Sequence, residues 1–229
     1  MANLSIKAPR NMTALMQHMQ RLVTTGHHYW TGGRIAMRHI LKLIDKYPDF
    51  ALQADAPARA YRKRTGRASV HLVLHPVVST NDMDIPWWML STGGKLGLTS
   101  DINLPGKVHD ARTLEGRLWS DDYELMQLEK NYIAGKPKTM TWTWRMTPAR
   151  FREWQALLIE RVKARDIKSV MAVFDLLREM PQFAGVRSQV LRLHFDASRM
   201  LVKLGMPGLV PLDLPVMRMQ KLWHEDFEV

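Results

Sequence analysis

The clearest chemical feature of this sequence is a run of cations in its first third. Arg62, Lys63, Arg64 and Arg67 lie within six residues, and Tyr61 precedes them. Lysine and arginine neutralise phosphates and release counterions, which gives salt-sensitive binding without sequence preference. We therefore predict that these four cations contact nucleic-acid phosphates. The alternative is a solvated surface loop.

Cations also recur every four residues upstream of this run. A helix predicted from Arg34 to Tyr47 would carry Arg34, Arg38, Lys42 and Lys46 on one face, opposite an apolar stripe. We predict that Arg34, Arg38 and Lys42 extend the nucleic-acid surface. This indication is weaker, because most amphipathic helices carry charge on their outer face.

The segment TMTWTWRM has the alternation of a β-strand. Alternation places Trp142 and Trp144 on one face and Thr141, Thr143 and Arg145 on the other. Hydroxyl and guanidinium groups contact phosphates or base edges, so we predict that Thr141, Thr143 and Arg145 bind nucleic acid. The alternative is an ordinary half-buried strand with its tryptophans in the core.

Aromatic and imidazole rings cluster in a glycine-flanked segment near residue 30. His28, Tyr29 and Trp30 have the ring types that stack on bases. We predict them as stacking residues, with a loop packed by its own aromatic side chains as the alternative.

Two histidines suggest a different chemistry. His71 and His75 would share one face of a predicted strand, and a metal-dependent nuclease could combine them with nearby Asp82 and Asp84. No third ligand follows in a recognisable frame. Nucleotide-binding glycine motifs, a nucleophile elbow and a zinc-protease motif are also missing from the sequence. We predict no catalytic residue, metal or cofactor, and favour a non-enzymatic protein.

The elements that must position these residues predict an α+β protein. Alternating segments predict an antiparallel sheet of about four strands within 69–146, namely 69–78, 85–91, 123–129 and 139–146. N-terminal helices precede it, the first over 13–23, and three helices follow from Thr147, Asp166 and Phe183. The predicted organisation, within one domain overall, is a basic helical segment (1–66), a sheet region (67–146), a helical segment (147–205) and an irregular tail (206–229).

The charge of the chain is its compositional outlier. The 229 residues include 33 Lys and Arg against 22 Asp and Glu, a net charge of +11 that favours a polyanionic partner. Residues 1–70 hold 12 basic and 3 acidic side chains, residues 136–205 hold 14 and 6, and residues 71–135 hold 5 and 9. The absence of cysteine and of a long apolar run predicts a cytoplasmic protein with no membrane partner.

Two resemblances bear on function. The strand and two helices over 139–180 loosely resemble the ribbon-helix-helix DNA-binding fold, in which a polar strand enters the major groove and the helices dimerise. The phrases TGHHYW, DDYELMQLE and TWTWRMT are similar to those of uncharacterised accessory proteins of proteobacterial plasmids and integrative conjugative elements. This second resemblance implies a mobile-element protein that handles DNA or regulates transfer, and it implies no catalytic residue.

The leading hypothesis is a DNA-binding accessory protein of a mobile genetic element, acting in regulation, replication, partition or transfer. An RNA- or single-strand-binding subunit of a ribonucleoprotein, such as a defence complex, is the first alternative, because exposed aromatic residues on a sheet would suit it. The metal-dependent nuclease is the second. DNA is favoured over RNA as the partner, and a homodimer or a larger protein complex remains open.

Overall fold

A computed structural model describes residues 9–52, 54–75, 84–100, 106–129 and 139–221. The predicted α+β class is confirmed, since helices and antiparallel sheets occupy separate segments. The chain divides into an N-terminal unit, formed by residues 1–118 with 219–229, and a C-terminal unit, formed by residues 119–218.

The described residues of the N-terminal unit form a four-stranded antiparallel sheet and three helices. Its strands are β1 (Tyr29–Ala36), β2 (Val70–Leu74), β3 (Asp84–Ser91) and β4 (His109–Asp110), in the order β2-β3-β1-β4. Its helices are α1 (Met12–Thr24), α2 (Ile40–Lys46) and α3 (Ala56–Arg64), with 3-10 turns at Met37–His39 and Pro48–Phe50. The predicted first helix is thereby confirmed.

The central strand β1 occupies a segment for which a loop and a helix are predicted. Gly32 and Gly33 lie in the middle of β1, which pairs with β3 along its whole length. A Cβ atom on Gly32 would lie 2.7 Å from the main-chain oxygen of Trp87 and 3.2 Å from Cδ1 of Trp88. These glycines therefore do not form a turn. Because they lack side chains, they leave room for the indole rings of Trp87 and Trp88. The prediction of one helix from Arg34 to Tyr47 is wrong, because its first turn belongs to β1.

Alternation along the strands places one hydrophobic cluster of the N-terminal unit on one face of the sheet. Val70 and Leu74 of β2 and Ile85, Trp87 and Met89 of β3 are all buried. They form one hydrophobic cluster with the side chains that follow β1, namely Ile40, Leu43, Tyr47 and Phe50. Burial of these apolar side chains fixes the register of β2 and β3.

The C-terminal unit contains a three-stranded antiparallel sheet and the three predicted helices. Strands β5 (Trp119–Ser120), β6 (Tyr123–Glu129) and β7 (Met140–Met146) are followed by α4 (Pro148–Lys163), α5 (Ile167–Glu179) and α6 (Ala184–Lys203). Thr147 caps α4 by accepting a hydrogen bond from the Arg150 N–H, and Asp166 caps α5 by accepting from the Ser169 N–H. Residues 206–221 form neither helix nor strand.

All four predicted strands occur, but they belong to two sheets. β2 and β3 pair in the N-terminal unit, whereas β6 and β7 pair in the C-terminal unit. Alternation identifies a strand without identifying its partner. The members of the first sheet that the sequence did not predict are β1 and β4. In the described part of the chain, no helix has the length and apolarity needed to cross a membrane.

Candidate nucleic-acid interface

Helix α3 positions the densest basic run of the chain on the surface. It begins after Asp55, whose carboxylate accepts a hydrogen bond from the Ala58 N–H at 2.8 Å, and it has Pro57 in its first turn. It ends at Thr65, followed by Gly66 in the left-handed region at φ +72°. No residue of α3 is buried, so its cations lie at or near solvent.

Arg62 is the exception within this run, because its guanidinium holds the main chain together. Its Nε donates to the Ala68 carbonyl at 2.9 Å, and its Nη2 donates to the carbonyls of Asp49 at 2.8 Å and Leu96 at 3.2 Å. Burial lowers the pKa of Arg62. The three bonds tie α3 to the start of β2 and to two loops, which leaves little donor capacity for phosphate.

The other cations of the run face solvent. Lys63, Arg64 and Arg67 are exposed, and within the described residues none of them forms an ion pair. The Arg64 guanidinium lies 5.4 Å from the centre of the Tyr61 ring, which is 55% exposed. An exposed aromatic ring beside free cations offers both stacking and phosphate contacts.

Lys95 joins this cluster through main-chain pairing. The Lys95 N–H donates to the Gly66 carbonyl at 3.0 Å, and the Ala68 N–H donates to the Lys95 carbonyl at 2.8 Å. The exposed side chain of Lys95 therefore projects from the segment that pairs with Arg67. We call Tyr61, Lys63, Arg64, Arg67 and Lys95 the α3 basic surface.

The predicted ridge of cations is not formed, because its members lie on different elements. Arg34 belongs to β1, where its Nη2 donates to the Asp84 carbonyl at 2.9 Å. Arg38 lies in a 3-10 turn, and only Lys42 and Lys46 share α2. Arg38 and Lys42 are exposed, but an i, i+4 ridge from residue 34 requires a helix that is absent here.

The predicted stacking residues contact protein groups instead of forming a free aromatic surface. Trp30 is 3% exposed, donates from Nε1 to the Gly116 carbonyl at 2.7 Å and stacks on His109 at 4.7 Å. Tyr29 is half-buried and accepts a hydrogen bond at its hydroxyl from Arg112 Nη2 at 3.1 Å. His28 is half-buried, and burial lowers its pKa, with the Arg112 charge acting in the same direction.

The polar face of β7 is covered by its own unit. Thr143 is buried, and its hydroxyl accepts a hydrogen bond from the Gly185 N–H of α6 at 3.1 Å. Arg145 forms an ion pair with Glu124 of β6, with Nε 2.7 Å from Oε1. Thr141 is half-buried opposite Leu128. The hydroxyl of Thr143 and the guanidinium of Arg145 therefore already bond other groups of the protein.

The aromatic face of β7 is buried as well. Trp142 is 8% exposed and Trp144 is fully buried, so neither can stack on a base. At the end of β7, the Gln189 side-chain amide bonds both the N–H and the carbonyl of Met146. In a ribbon-helix-helix dimer that strand pairs with a second copy, whereas β7 pairs with β6 along its whole length.

Three histidine side chains that are far apart in the sequence lie close together beside α3. His71 of β2 lies 4.8 Å from His27 and 6.3 Å from His18 of α1, measured between ring centres. His27 donates or accepts at both nitrogens, with Nδ1 3.0 Å from the Leu22 carbonyl and Nε2 3.2 Å from the Ser69 hydroxyl. We call His18, His27 and His71 the imidazole cluster.

The imidazole cluster is electrically neutral at physiological pH. Burial lowers the pKa of His18 and of His27 to about 4, and that of His71 to about 3. The charges of Arg59 and Lys63, on the adjacent face of α3, lower the pKa of His71 and His27 further. The charged side chains acting on the three rings are all cationic, since Arg21 and Arg59 act on His18.

The histidines do not form a metal site in the described part of the chain. No group of three histidine or carboxylate side chains is arranged there to hold a metal ion, and His27 already uses both ring nitrogens. His75 lies at the end of β2 with its ring 6.5 Å from Trp88. Asp84 is exposed at the start of β3, and Asp82 lies outside the described residues.

Sequence reasoning missed Arg59, Lys95 and His18 as members of these sites. Arg59 precedes Lys63 by four residues on a helix, a spacing that could have identified it. His18 and His71 are 53 residues apart, and no local pattern relates them. Lys95 joins the surface only through the pairing of two loops.

Comparison with known protein families, with curated proteins and with solved structures found no match for this chain. A function therefore has to be inferred from the side chains described above.

Proposed function

We propose that this chain is a non-enzymatic DNA-binding protein that contacts phosphates through the α3 basic surface. The observation that carries the proposal is the exposure of Lys63, Arg64, Arg67 and Lys95 around one helix end, without ion pairs among the described residues. Unpaired, exposed cations lose little solvation on meeting phosphate and release counterions from DNA. The proposed setting is the cytoplasm, in an accessory role for a mobile genetic element.

Duplex DNA suits this surface better than an unpaired strand. Sheet-based recognition of single strands relies on several exposed aromatic rings. Trp142, Trp144 and Trp30 are all buried, which leaves Trp119 of β5 as the exposed tryptophan on the described strands. Tyr61 remains as an exposed ring on the α3 basic surface. Backbone contacts by clustered cations then favour the phosphates of a duplex over unstacked bases.

The proposal is tested by neutralising the surface while Arg62 is kept intact. The variant Lys63→Gln, Arg64→Gln, Arg67→Gln should bind duplex DNA at least tenfold more weakly. The slope of log K against log salt should become shallower by about 2 to 3, since each lost phosphate contact contributes roughly 0.9. Gel shifts or fluorescence anisotropy at several salt concentrations measure both quantities, with single-stranded DNA and RNA in parallel.

A matched control removes the same charge from the C-terminal unit. Lys163, Arg165 and Lys168 are exposed around the junction of α4 and α5, so their triple glutamine variant has the same net charge. It should keep DNA affinity within about twofold. Equal losses in both triple variants would show that bulk charge, and not the α3 basic surface, is responsible. Tighter binding of RNA or single strands than of duplex would support the ribonucleoprotein alternative.

A further inference from the structure

The imidazole cluster and its neighbours form a partly buried group with an excess of positive charge. His18 and His27 are buried and His71 is half-buried, while the charged side chains that act on them are Arg59, Lys63 and Arg21. The Asp55 carboxylate acts on Arg59, but no carboxylate among the described residues acts on the three rings. Cations brought close to buried groups are normally paired. A bound anion would compensate the positive charge that Asp55 leaves.

Arg59 gives the strongest indication of where an anion would bind. Its Nη2 donates to the Leu52 carbonyl at 3.2 Å, but its buried Nε–H has no hydrogen-bond partner in the described part of the chain. A buried donor without a partner costs about 1–3 kcal/mol, and such groups are rare unless a ligand, ion or water completes them. Arg59 thus retains donor capacity at its Nε–H.

Part of this group is accessible to solvent, because Lys63 is exposed and His71 is only half-buried. Arg59 and Lys63 are one turn apart on α3, and Arg62 of the same helix donates to the Ala68 carbonyl just before the edge strand β2 that carries His71. Lys63 is exposed, and neither ring nitrogen of His71 bonds a described residue. Arg59 and Lys63 lie near enough to His71 for their charges to lower its pKa, and Lys63 belongs to the α3 basic surface as well.

We propose that Arg59, Lys63 and His71, supported by His27 and His18, form a binding site for a single phosphate group. The assignment of that phosphate to DNA rests on the proposed function. A tetrahedral phosphate presents several acceptor oxygens, which matches an arginine fork, an ammonium group and a neutral imidazole N–H. Charge on the phosphate would also offset the mutual repulsion of Arg59 and Lys63.

The site is tested with inorganic phosphate on the full chain. In a titration at constant ionic strength and pH 7, the imidazole ¹H–¹³C signals of His71 and His27 should shift and saturate. Chloride at the same ionic strength should leave them unchanged. Arg59→Gln should weaken phosphate binding at least tenfold, whereas Lys163→Gln, which removes an exposed cation of the C-terminal unit, should bind phosphate normally.

Lys63→Gln provides a second variant that keeps the proposal testable if Arg59→Gln fails to fold. Lys63 is exposed, so its replacement should preserve the fold and still weaken phosphate binding several-fold. Shifts that grow without saturating, or that are the same in Arg59→Gln and Lys163→Gln, would overturn the site. Saturation in wild type with loss in either cluster variant would support it.

Oligonucleotides separate this inference from the proposed function. Saturable phosphate binding without any gel shift of DNA would overturn the proposed function and leave the site intact. DNA binding that is insensitive to Arg59→Gln would overturn the link between the site and DNA. Comparing 5′-phosphorylated with 5′-hydroxyl duplexes then distinguishes a terminal phosphate from a backbone phosphate.

Discussion

Arg62 lies in the middle of the densest basic run, and its guanidinium donates to the carbonyls of Asp49, Ala68 and Leu96. We predict that Arg62→Ala lowers the free energy of unfolding by about 1–3 kcal/mol, because carbonyls partly withdrawn from water lose a charged donor. Urea denaturation followed by circular dichroism measures the change. Its physical cause is lost main-chain bonding rather than lost surface charge.

Arg67→Ala is the control for this prediction, since it removes the same charge from an exposed side chain of the same run. Its effect should stay within about 0.5 kcal/mol, as is usual for surface substitutions. If the two variants lost equal stability, the structural role of Arg62 would be refuted. This distinction also explains why Arg62 is left unchanged in the DNA-binding test.

At the level of single residues, the sequence shows which side chains are charged but does not predict which groups each of them contacts. Arg62, Lys63 and Arg64 are adjacent and chemically alike, and the structure gives them three different surroundings. The carbonyls that Arg62 meets come from loops 6 to 34 residues away. No periodicity within the run carries that information, because it arises from tertiary packing.

At the level of elements, the central strand β1 depends on Gly32. We predict that Gly32→Ala destabilises the protein by about 1–3 kcal/mol, since the added Cβ would lie 2.7 Å from the Trp87 carbonyl oxygen. The adjacent Gly33→Ala is the control, because its Cβ would meet Trp87 Nε1 at an ordinary 3.4 Å. Thermal unfolding measures both. Equal melting temperatures for the two variants would contradict the close packing of β1 on β3.

Helix boundaries were more predictable than strand partners. Thr147 and Asp166 cap α4 and α5 through contacts three residues along, so local sequence suffices to identify both starts. β1 was missed because glycines between aromatic residues are also typical of turns. Here they make room for the indoles of Trp87 and Trp88 on the neighbouring strand, which lies more than 50 residues further along.

At the level of the whole molecule, the acidic middle of the sequence does not form one structural region. Residues 71–135 hold 9 acidic and 5 basic side chains, yet they contribute strands to both units. Within them, Asp110 pairs with Arg112 and Glu124 pairs with Arg145. Charge counted along the chain therefore predicted the α3 basic surface, but not the neutral imidazole cluster beside it.

The imidazole cluster makes the stability of the N-terminal unit depend on pH. The pKa values of His18 and His27 are lowered to about 4, and that of His71 to about 3, whereas an unfolded histidine titrates near 6.5. As pH falls below 6.5 the unfolded chain takes up protons that the folded chain does not. Stability is therefore fully present above pH 6.5 and decreases as pH falls toward 4.

We expect the free energy of unfolding to decrease between pH 7 and pH 5 by at most about 2 kcal/mol for each buried imidazole. Hydrogen exchange of the β3 amides measures this change in the N-terminal unit. His71→Gln should reduce the pH dependence, whereas His39→Gln, an exposed histidine outside the cluster, should leave it unchanged. Saturating phosphate should also reduce it, because an anion beside the rings favours their protonated form. A β3 stability that is constant from pH 7 to pH 5 would contradict the burial of neutral histidines.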